Sequence, residues 1–278
     1  MRFLAKFKSA FLYCFLLLLV CAAYPVPAAT ADATPAGGGA EDALPPQGNI
    51  GEEHEFSIGL GGRVGVTPYK RYDTQWTPFP IVSYEGKYAY VRGFTAGVKL
   101  VNLEFLEVSA FVGYDDTSFT SGSSSDRRLR KLSDRHSSAT TGLGVRLLTH
   151  YGMLHMSGTQ DVLGNSNGLT GTIGYMQSLE YGDFELLPAF GVQWNSSKYN
   201  DYYYGVNDKE SRKSGLDTYD PGGAFSPYVG LTIAYTLTDA WEIFCSGEVA
   251  FLNNAIKDSP MVGRTNTHSF TQGAIFTF

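Results

Sequence analysis

The sequence predicts an all-β fold, a transmembrane antiparallel β-barrel of about twelve strands. Three observations indicate it: long alternating segments, an N-terminal export signal and an aromatic last residue. The clearest segment runs from Phe225 to Leu237, where apolar residues occupy every second position. Side chains alternate faces along a strand, and a strand of this length crosses a bilayer even when tilted. Soluble sandwiches share the period, but here the polar faces carry charges in mid-strand, as a wet lumen permits.

The N-terminus has the pattern of a secretory signal peptide. Three basic residues open it: Arg2, Lys6 and Lys8. An apolar run at 11–23 follows, too short to span a membrane, and small residues at 26–28 or 31–33 offer a cleavage site. A lipid-modified Cys21 is the alternative, which the bulky Val20 disfavours. The protein is therefore predicted to leave the cytoplasm, as Gram-negative outer-membrane proteins do.

The chain divides into three predicted parts. We expect a signal peptide at 1–29, a disordered Ala-, Gly- and Pro-rich periplasmic leader at 30–51, and one barrel domain at 52–278. Cleavage removes two of the three cysteines, so Cys245 remains alone and forms no internal disulfide.

Composition excludes several classes of protein. The net charge of −6 argues against a nucleic-acid partner, which requires a basic face. After the signal no run of about eighteen apolar residues predicts a helical span. The 32 glycines, 18 tyrosines and 18 phenylalanines suit the close contacts and aromatic girdles of a barrel. No spacing predicts a metal or cofactor site.

Connection lengths give the strand count. Short connections fall near residues 85–86, 102, 150–152, 181–183 and 238–240, and longer ones near 67–75, 115–137, 164–168, 197–223 and 255–265. Barrels have short periplasmic turns and long outer loops. Twelve strands satisfy that rule if 87–101 forms two short strands folded back near Arg92 and Gly93; ten strands is the alternative.

The C-terminal segment also alternates. Four residues share its apolar face: Phe270, Ala274, Phe276 and Phe278. A closing aromatic residue on such a strand resembles the signal that the outer-membrane assembly machinery recognises. We therefore assign Phe278 as the barrel-assembly signal.

Several loop motifs resemble one family when they are taken in order. They are the segment 78–86; Tyr202, Tyr203, Tyr204, Gly205 and Val206; Ser214, Gly215 and Leu216; and Asp258, Ser259 and Pro260. Together they resemble the MipA/OmpV family of outer-membrane proteins, over about 56–278. The resemblance implies an outer-membrane barrel without an agreed active site. For the family's namesake it implies a scaffold that joins a lytic transglycosylase to a bifunctional penicillin-binding protein.

Two functional hypotheses follow from the resemblance and the loops. The first is a scaffold for peptidoglycan-remodelling enzymes, a murein hydrolase or synthase in the periplasm. Its predicted docking surface is small, because the periplasmic turns are short and only the barrel rim and the 30–51 leader remain. The second is a surface protein, either a narrow pore or an adhesin.

The outer loops contain two candidate contact sites. The three tyrosines at 202–204 could anchor a partner, because tyrosine loses little entropy at interfaces, or could pack over the barrel mouth. A basic run could bind lipopolysaccharide phosphates, or could be an ordinary solvated loop. It consists of Arg127, Arg128, Arg130, Lys131 and Arg135.

Charges are predicted inside the lumen as well. Basic and acidic residues share the polar strand faces: Arg63, Lys99 and Arg146, with Glu55, Glu107, Glu185, Glu242 and Glu248. They could line a narrow pore, but we favour ion pairs that close it.

Catalysis is not predicted. The five histidines are His54, His136, His150, His155 and His268. None has a recognisable spacing to a nucleophile, although His136 lies in a loop rich in Ser and Asp. We expect a non-enzymatic outer-membrane protein.

Overall fold

The computed structural model describes residues 55–72 and 74–278. The predicted signal peptide at 1–29, the leader at 30–51 and His54 lie outside the described residues. Within them the chain is almost entirely strand, as the alternation predicts.

Thirteen strand segments form one sheet. In chain order they are β1 Glu55–Val66, β2 Gln75–Glu85, β3 Ala89–Arg92, β4 Thr95–Leu103, β5 Leu106–Asp115, β6 Ser138–Thr149, β7 Gly152–Asp161, β8 Leu169–Met176, β9 Leu179–Tyr181, β10 Phe184–Asn195, β11 Ala224–Thr238, β12 Trp241–Phe251 and β13 Asn266–Thr277.

The sheet closes into a barrel of twelve strands. Each segment pairs antiparallel with its neighbour, and β1 pairs with β13, from Ser57 opposite Thr277 to Val66 opposite His268. Both β8 and β9 pair with β10, at its two ends, so they are two pieces of one barrel strand. The prediction of twelve strands is confirmed, and the alternative of ten is wrong.

The predicted fold-back within 87–101 is also confirmed. β3 and β4 form a short hairpin in which Arg92 is opposite Thr95. Gly93 adopts φ 58°, a left-handed conformation that glycine reaches without steric cost. This hairpin puts every longer loop on one side of the barrel, as the rule for outer-membrane barrels requires.

Alternation separates lipid from lumen in β11. Phe225, Val229 and Leu231 are exposed on the outside, whereas Tyr228 and Thr232 are buried toward the lumen. The alternating segment 225–237 is therefore one strand of the barrel wall, as predicted.

The outer loops contain short helices. They are α1 Ser197–Tyr204, α2 Asp208–Ser214 and α3 Asn254–Lys257, with 3-10 turns at Ser121–Ser123 and Leu129–Lys131. A capping box begins α2, since Asn207 and Glu210 each accept a bond from the other's backbone N–H, and Gly215 ends the helix. In the described part of the chain, no helix has the length and apolarity to span a bilayer.

Helix α1 was not predicted. Ser196 caps it by accepting a bond from the Tyr199 backbone, but four of its eight residues are tyrosines, which have modest helix propensity. Packing of the buried Tyr203 and Tyr204 stabilises the helix instead, a contribution that local sequence does not reveal.

Candidate functional site

Five charged side chains from five neighbouring strands meet in the lumen. They are Glu85 of β2, Arg92 of β3, Lys99 of β4, Glu107 of β5 and Arg146 of β6. Arg92 donates two parallel bonds to Glu107, each 2.9 Å long, and a further bond to Glu85. Such paired guanidinium–carboxylate bonds fix both orientation and distance. We call this group the lumen network.

Lys99 and Arg146 complete the lumen network. The Lys99 ammonium lies 2.8 Å from Glu85 and 3.6 Å from Glu107, and Arg146 lies 3.7 Å from Glu107. The two carboxylates are each 1% exposed. Buried carboxylates of this kind require pairing, because desolvation of a lone charge is costly. The network therefore joins five neighbouring strands of the barrel wall through their lumen-facing side chains, and closure of the lumen by these charges stays a prediction.

Two members of the lumen network were missed by the sequence analysis. Glu85 and Arg92 were assigned to turns, yet both are strand residues whose side chains face inward. Strand parity was the available signal, since Glu85 shares its face with Ser83 and Arg92 shares its face with Tyr90. The Arg92 guanidinium also stacks 3.9 Å above the Tyr90 ring, a cation–π contact.

The other predicted lumen charges lie outside this network. Arg63 is buried and pairs with Asp116 at 3.4 Å. Glu185 accepts a bond of 2.6 Å from Ser178, and Glu242 and Glu248 are half-buried on β12. Of the eight predicted residues, the structure thus brings Lys99, Glu107 and Arg146 into one cluster.

A polar bridge joins β7 to β11 over the two strands between them, β8 and β10. The Tyr228 hydroxyl lies 3.2 Å from Nε2 of His155, over the glycines Gly174 and Gly191. A Cβ atom at Gly174 would be 2.3 Å from the Tyr228 hydroxyl, so glycine is required for this close approach. A cavity of about 170 Å³ lies beside the bridge and reaches Arg92 and Phe111.

An apolar core of loop residues covers the outer mouth of the barrel, and we call it the outer cap. Four loops contribute to it, with Tyr69, Tyr72, Phe119, Leu129, Leu132, Tyr199, Tyr203, Tyr204, Val206, Leu216, Leu252, Ile256, Met261 and Val262. Phe119 and Tyr204 are fully buried. The tyrosines of 202–204 therefore pack over the barrel mouth, the second of the two roles considered for them.

Hydrogen bonds join the family-motif residues within the outer cap. The Ser259 hydroxyl donates to the Tyr204 carbonyl at 2.6 Å, and Lys70 donates to the Pro260 carbonyl at 2.8 Å. Val206 pairs with Tyr219, and the Ser214 hydroxyl donates to a carbonyl of its own helix. Motifs that are far apart in the sequence thus meet in one structural unit.

Desolvation dominates the ionisation of the cap tyrosines. Burial raises the pKa of Tyr199 and Tyr204, and the neighbouring Asp115 raises both further. Both hydroxyls therefore stay neutral, and that of Tyr199 donates a hydrogen bond to Thr117 at 3.0 Å.

The predicted basic run divides into two groups. Arg127, Arg128, Arg130 and Lys131 are exposed at and beside the turn Leu129–Lys131. Arg135 departs from our expectation of a lipid contact, since it is buried in the outer cap and pairs with Glu210 at 2.9 Å. Its charge holds α2 in place and is not presented to solvent.

Helix α2 extends the exposed basic residues. It packs against the turn Leu129–Lys131 and adds three exposed cations of its own. The resulting basic surface comprises Arg127, Arg128, Arg130, Lys131, Lys209, Arg212 and Lys213.

No catalytic arrangement stands out around the described histidines. His136 lies in the outer cap, His150 beside a periplasmic turn, His155 in the lumen and His268 on β13. Among residues 55–72 and 74–278, no group of histidine, cysteine and acidic side chains could hold a metal ion.

These features define the class of protein. A closed barrel with an apolar exterior, short turns on one side and long loops on the other is an integral outer-membrane protein. Here the loops close over the mouth, and buried charged side chains line the lumen.

The chain belongs to the MipA family. The family model described as "MltA-interacting protein MipA" matches residues 58–278. The MltA-interacting protein of Escherichia coli K12 is 35% identical over 226 residues, which cover 81% of this chain and 91% of that protein. The putative outer membrane protein YiaT of the same strain is 34% identical over 81% of this chain and 91% of its own length.

A more distant relative and a solved structure were also found. The outer membrane protein OmpV of Vibrio cholerae is 29% identical over 60% of this chain and 62% of its own length. An outer-membrane channel of Pseudomonas putida F1 covers 84% of this chain and all of its own, with 9% identity and a TM-score of 0.42.

Proposed function

We propose that this outer-membrane barrel is a non-enzymatic scaffold that binds a periplasmic murein hydrolase or synthase. The observation that carries the proposal is membership of a family in which a relative of 35% identity is named for its interaction with MltA. The chain covers 91% of that relative's length.

The periplasmic face supports this proposal. Its five turns are two or three residues long, yet each carries or adjoins an exposed aromatic side chain. These residues are Tyr88, Phe105, Tyr151, Tyr181 and Trp241. Aromatic residues anchor barrels at the membrane interface, and they also dominate the energetics of protein interfaces. The outer cap closes the other end, so a periplasmic partner binds at this rim.

A binding experiment tests the scaffold proposal. Immobilised full-length barrel is expected to retain a lytic transglycosylase or a penicillin-binding protein. The double variant Tyr151→Ser, Tyr181→Ser is expected to weaken retention about tenfold or more, because truncated tyrosines at interfaces cost that much. Deletion of residues 30–51 tests the leader separately.

The matched control is Tyr114→Ser, which removes an exposed tyrosine from the outer half of the barrel. It is expected to leave retention unchanged. If neither enzyme is retained by the intact protein, the scaffold proposal is wrong.

We also propose that the basic surface binds lipopolysaccharide phosphates. The supporting observation is that seven exposed cations from two loops lie together beside the outer cap, where such phosphates are presented. Changing Arg127, Arg128, Arg130 and Lys131 to serine is expected to weaken binding about a hundredfold at low salt. Titration with native and dephosphorylated lipopolysaccharide measures the effect.

Replacement of the three arginines by lysine provides the control for this prediction. It keeps the charge but removes bidentate phosphate recognition, so an intermediate loss is expected. Equal binding by the serine variant and the native protein would contradict the proposal.

A further inference from the structure

The barrel wall is not continuous between β2 and β5. β3 pairs with β2 only from Ser83 to Glu85, and β4 pairs with β5 only as far as Val112. The hairpin between them therefore ends well below the outer rim. In the described chain, no ladder joins residues 76–81 to residues 113–115. We call this region the lateral gap, with the turn 93–94 as its floor.

Two prolines make the free edge of β2 tolerable in lipid. The Val82 carbonyl accepts a bond from the Gly93 N–H, so the backbone groups of Val82 face the hairpin. Backbone groups two and four residues earlier point the same way. Those positions are Pro80 and Pro78, which have no N–H to leave unpaired. Because unpaired donors are costly in hydrocarbon, the sequence itself provides for an interruption at this edge.

The gap is closed above, toward the outside. Tyr72 pairs with Ser124, and the Ser125 N–H donates to the Arg71 carbonyl at 2.9 Å. Two loops thus meet over the gap and belong to the outer cap. The opening is consequently directed sideways into the bilayer and away from the external water.

Aromatic rings line the floor of the gap from its lipid side inward. The rings of Phe79 and Phe94 lie 5.9 Å apart, and those of Phe94 and Tyr114 lie 6.3 Å apart. Phe94 and Tyr114 are exposed to lipid, whereas Phe79 is buried in a lumen cluster with Ile81 and Phe244. A Cβ atom at Gly61 would be 2.8 Å from the far edge of the Phe79 ring, so that edge lies over β1 while the ring contacts Phe94 at the floor of the gap.

We propose that the lateral gap is an opening through which a small apolar molecule dissolved in the outer leaflet enters the lumen. The side chains on its lipid side are Trp76, Pro78, Pro80 and Tyr114, none of them charged. The lumen cavity of about 170 Å³ has Phe111 in its lining, on the strand that borders the gap. A cavity of about 150 Å³ accommodates benzene in another protein, so a single-ring or short-chain molecule fits. This inference is independent of the scaffold role.

Tryptophan quenching in vesicles tests the proposal. Trp76, Trp194 and Trp241 are changed to phenylalanine, and Phe79→Trp then supplies a single indole. Phe244→Trp is the matched control, because Phe244 also lies over a glycine in the same cluster but on a strand paired on both sides. Leu231→Trp, facing the bilayer, gives the full-quenching reference.

The probe is 1-bromooctane added to vesicles of unbrominated phospholipid. The expected result is a quenching slope for F79W close to that of L231W and several-fold steeper than that of F244W. If 1-bromooctane quenches neither F79W nor F244W, the proposal is overturned. If it quenches both to the same extent, the proposal is also overturned, because the molecule then enters by another route. If brominated phospholipid quenches F79W and 1-bromooctane does not, the proposal is overturned, because a phospholipid acyl chain then occupies the opening.

A smaller variant covers the case in which the indole prevents folding. Phe79→Cys in a Cys245→Ser background is folded first and then labelled with a nitroxide, beside Phe244→Cys. Collision with oxygen, which dissolves in lipid, is expected to be greater at position 79. Equal oxygen accessibility at the two positions would reject the opening.

Discussion

Changing Arg92 to methionine is expected to lower the free energy of unfolding by about 3–5 kcal/mol. Arg92 pairs with both carboxylates of the lumen network, and those carboxylates are almost completely buried. Its removal leaves Lys99 and the more distant Arg146 to balance Glu85 and Glu107. Urea unfolding of the barrel in vesicles, followed by tryptophan fluorescence, measures the loss.

The same substitution at an exposed arginine is the control. Arg130→Met is expected to change stability by less than about 0.5 kcal/mol. A double variant with Arg92→Met and Glu107→Gln should recover part of the loss, because Glu85 then stays paired with Lys99. If Arg92→Met and Arg130→Met cost the same, the lumen network does not stabilise the barrel.

Changing Phe119 to alanine is expected to loosen the outer cap. The ring is fully buried and lies 4.8 Å from that of Tyr69 and 5.9 Å from that of Tyr72, both on another loop. Loss of a buried phenylalanine costs about 3–5 kcal/mol. Cleavage of the loops by proteinase K should accelerate by about two to three orders of magnitude, because it follows the population of the open cap.

Phe190→Ala provides the comparison for the cap experiment. That ring is 57% exposed and faces the bilayer, so its removal should leave the loop cleavage rate unchanged. Mass spectrometry of the fragments shows whether cuts fall within 116–137 and 196–223. Cleavage of the Phe119→Ala variant at the native rate would mean that the loops are held by other contacts.

Most of the barrel was predictable because its constraints are local. Alternation along β11 and the short turns on one side follow from side chains that meet lipid or lumen at every second position. The two short strands within 87–101 were predictable as well, because without them a long loop would lie on the periplasmic side. The break between β8 and β9 was not predictable, since it does not change which face a side chain occupies.

The outer cap and the lumen network were beyond that local argument. Tyr69 packs against Tyr204 and Arg135 pairs with Glu210, contacts between loops far apart in the chain. Nothing in the spacing of either residue specifies its partner. Glu85 and Arg92 were hidden for a different reason, because turn-like neighbours masked their strand parity.

The lateral gap depends on register, which alternation does not determine. A strand's side-chain pattern fixes its faces but leaves open how far it extends beside its neighbour. Pro78 and Pro80 were nevertheless visible in the sequence. Two prolines at alternate positions of a strand indicate an edge, and that signal was available without coordinates.

The pairing of β1 with β13 has a consequence for how the molecule assembles. Other ladders join strands that are neighbours along the chain. This one joins residues 220 positions apart, with the hydroxyl oxygens of Ser57 and Thr277 at 2.9 Å. Loop closure over such a separation carries a larger entropic cost than a hairpin, so ring closure is expected late in folding. Until then β1 and β13 are open edges, and the nascent sheet requires protection from pairing with other chains.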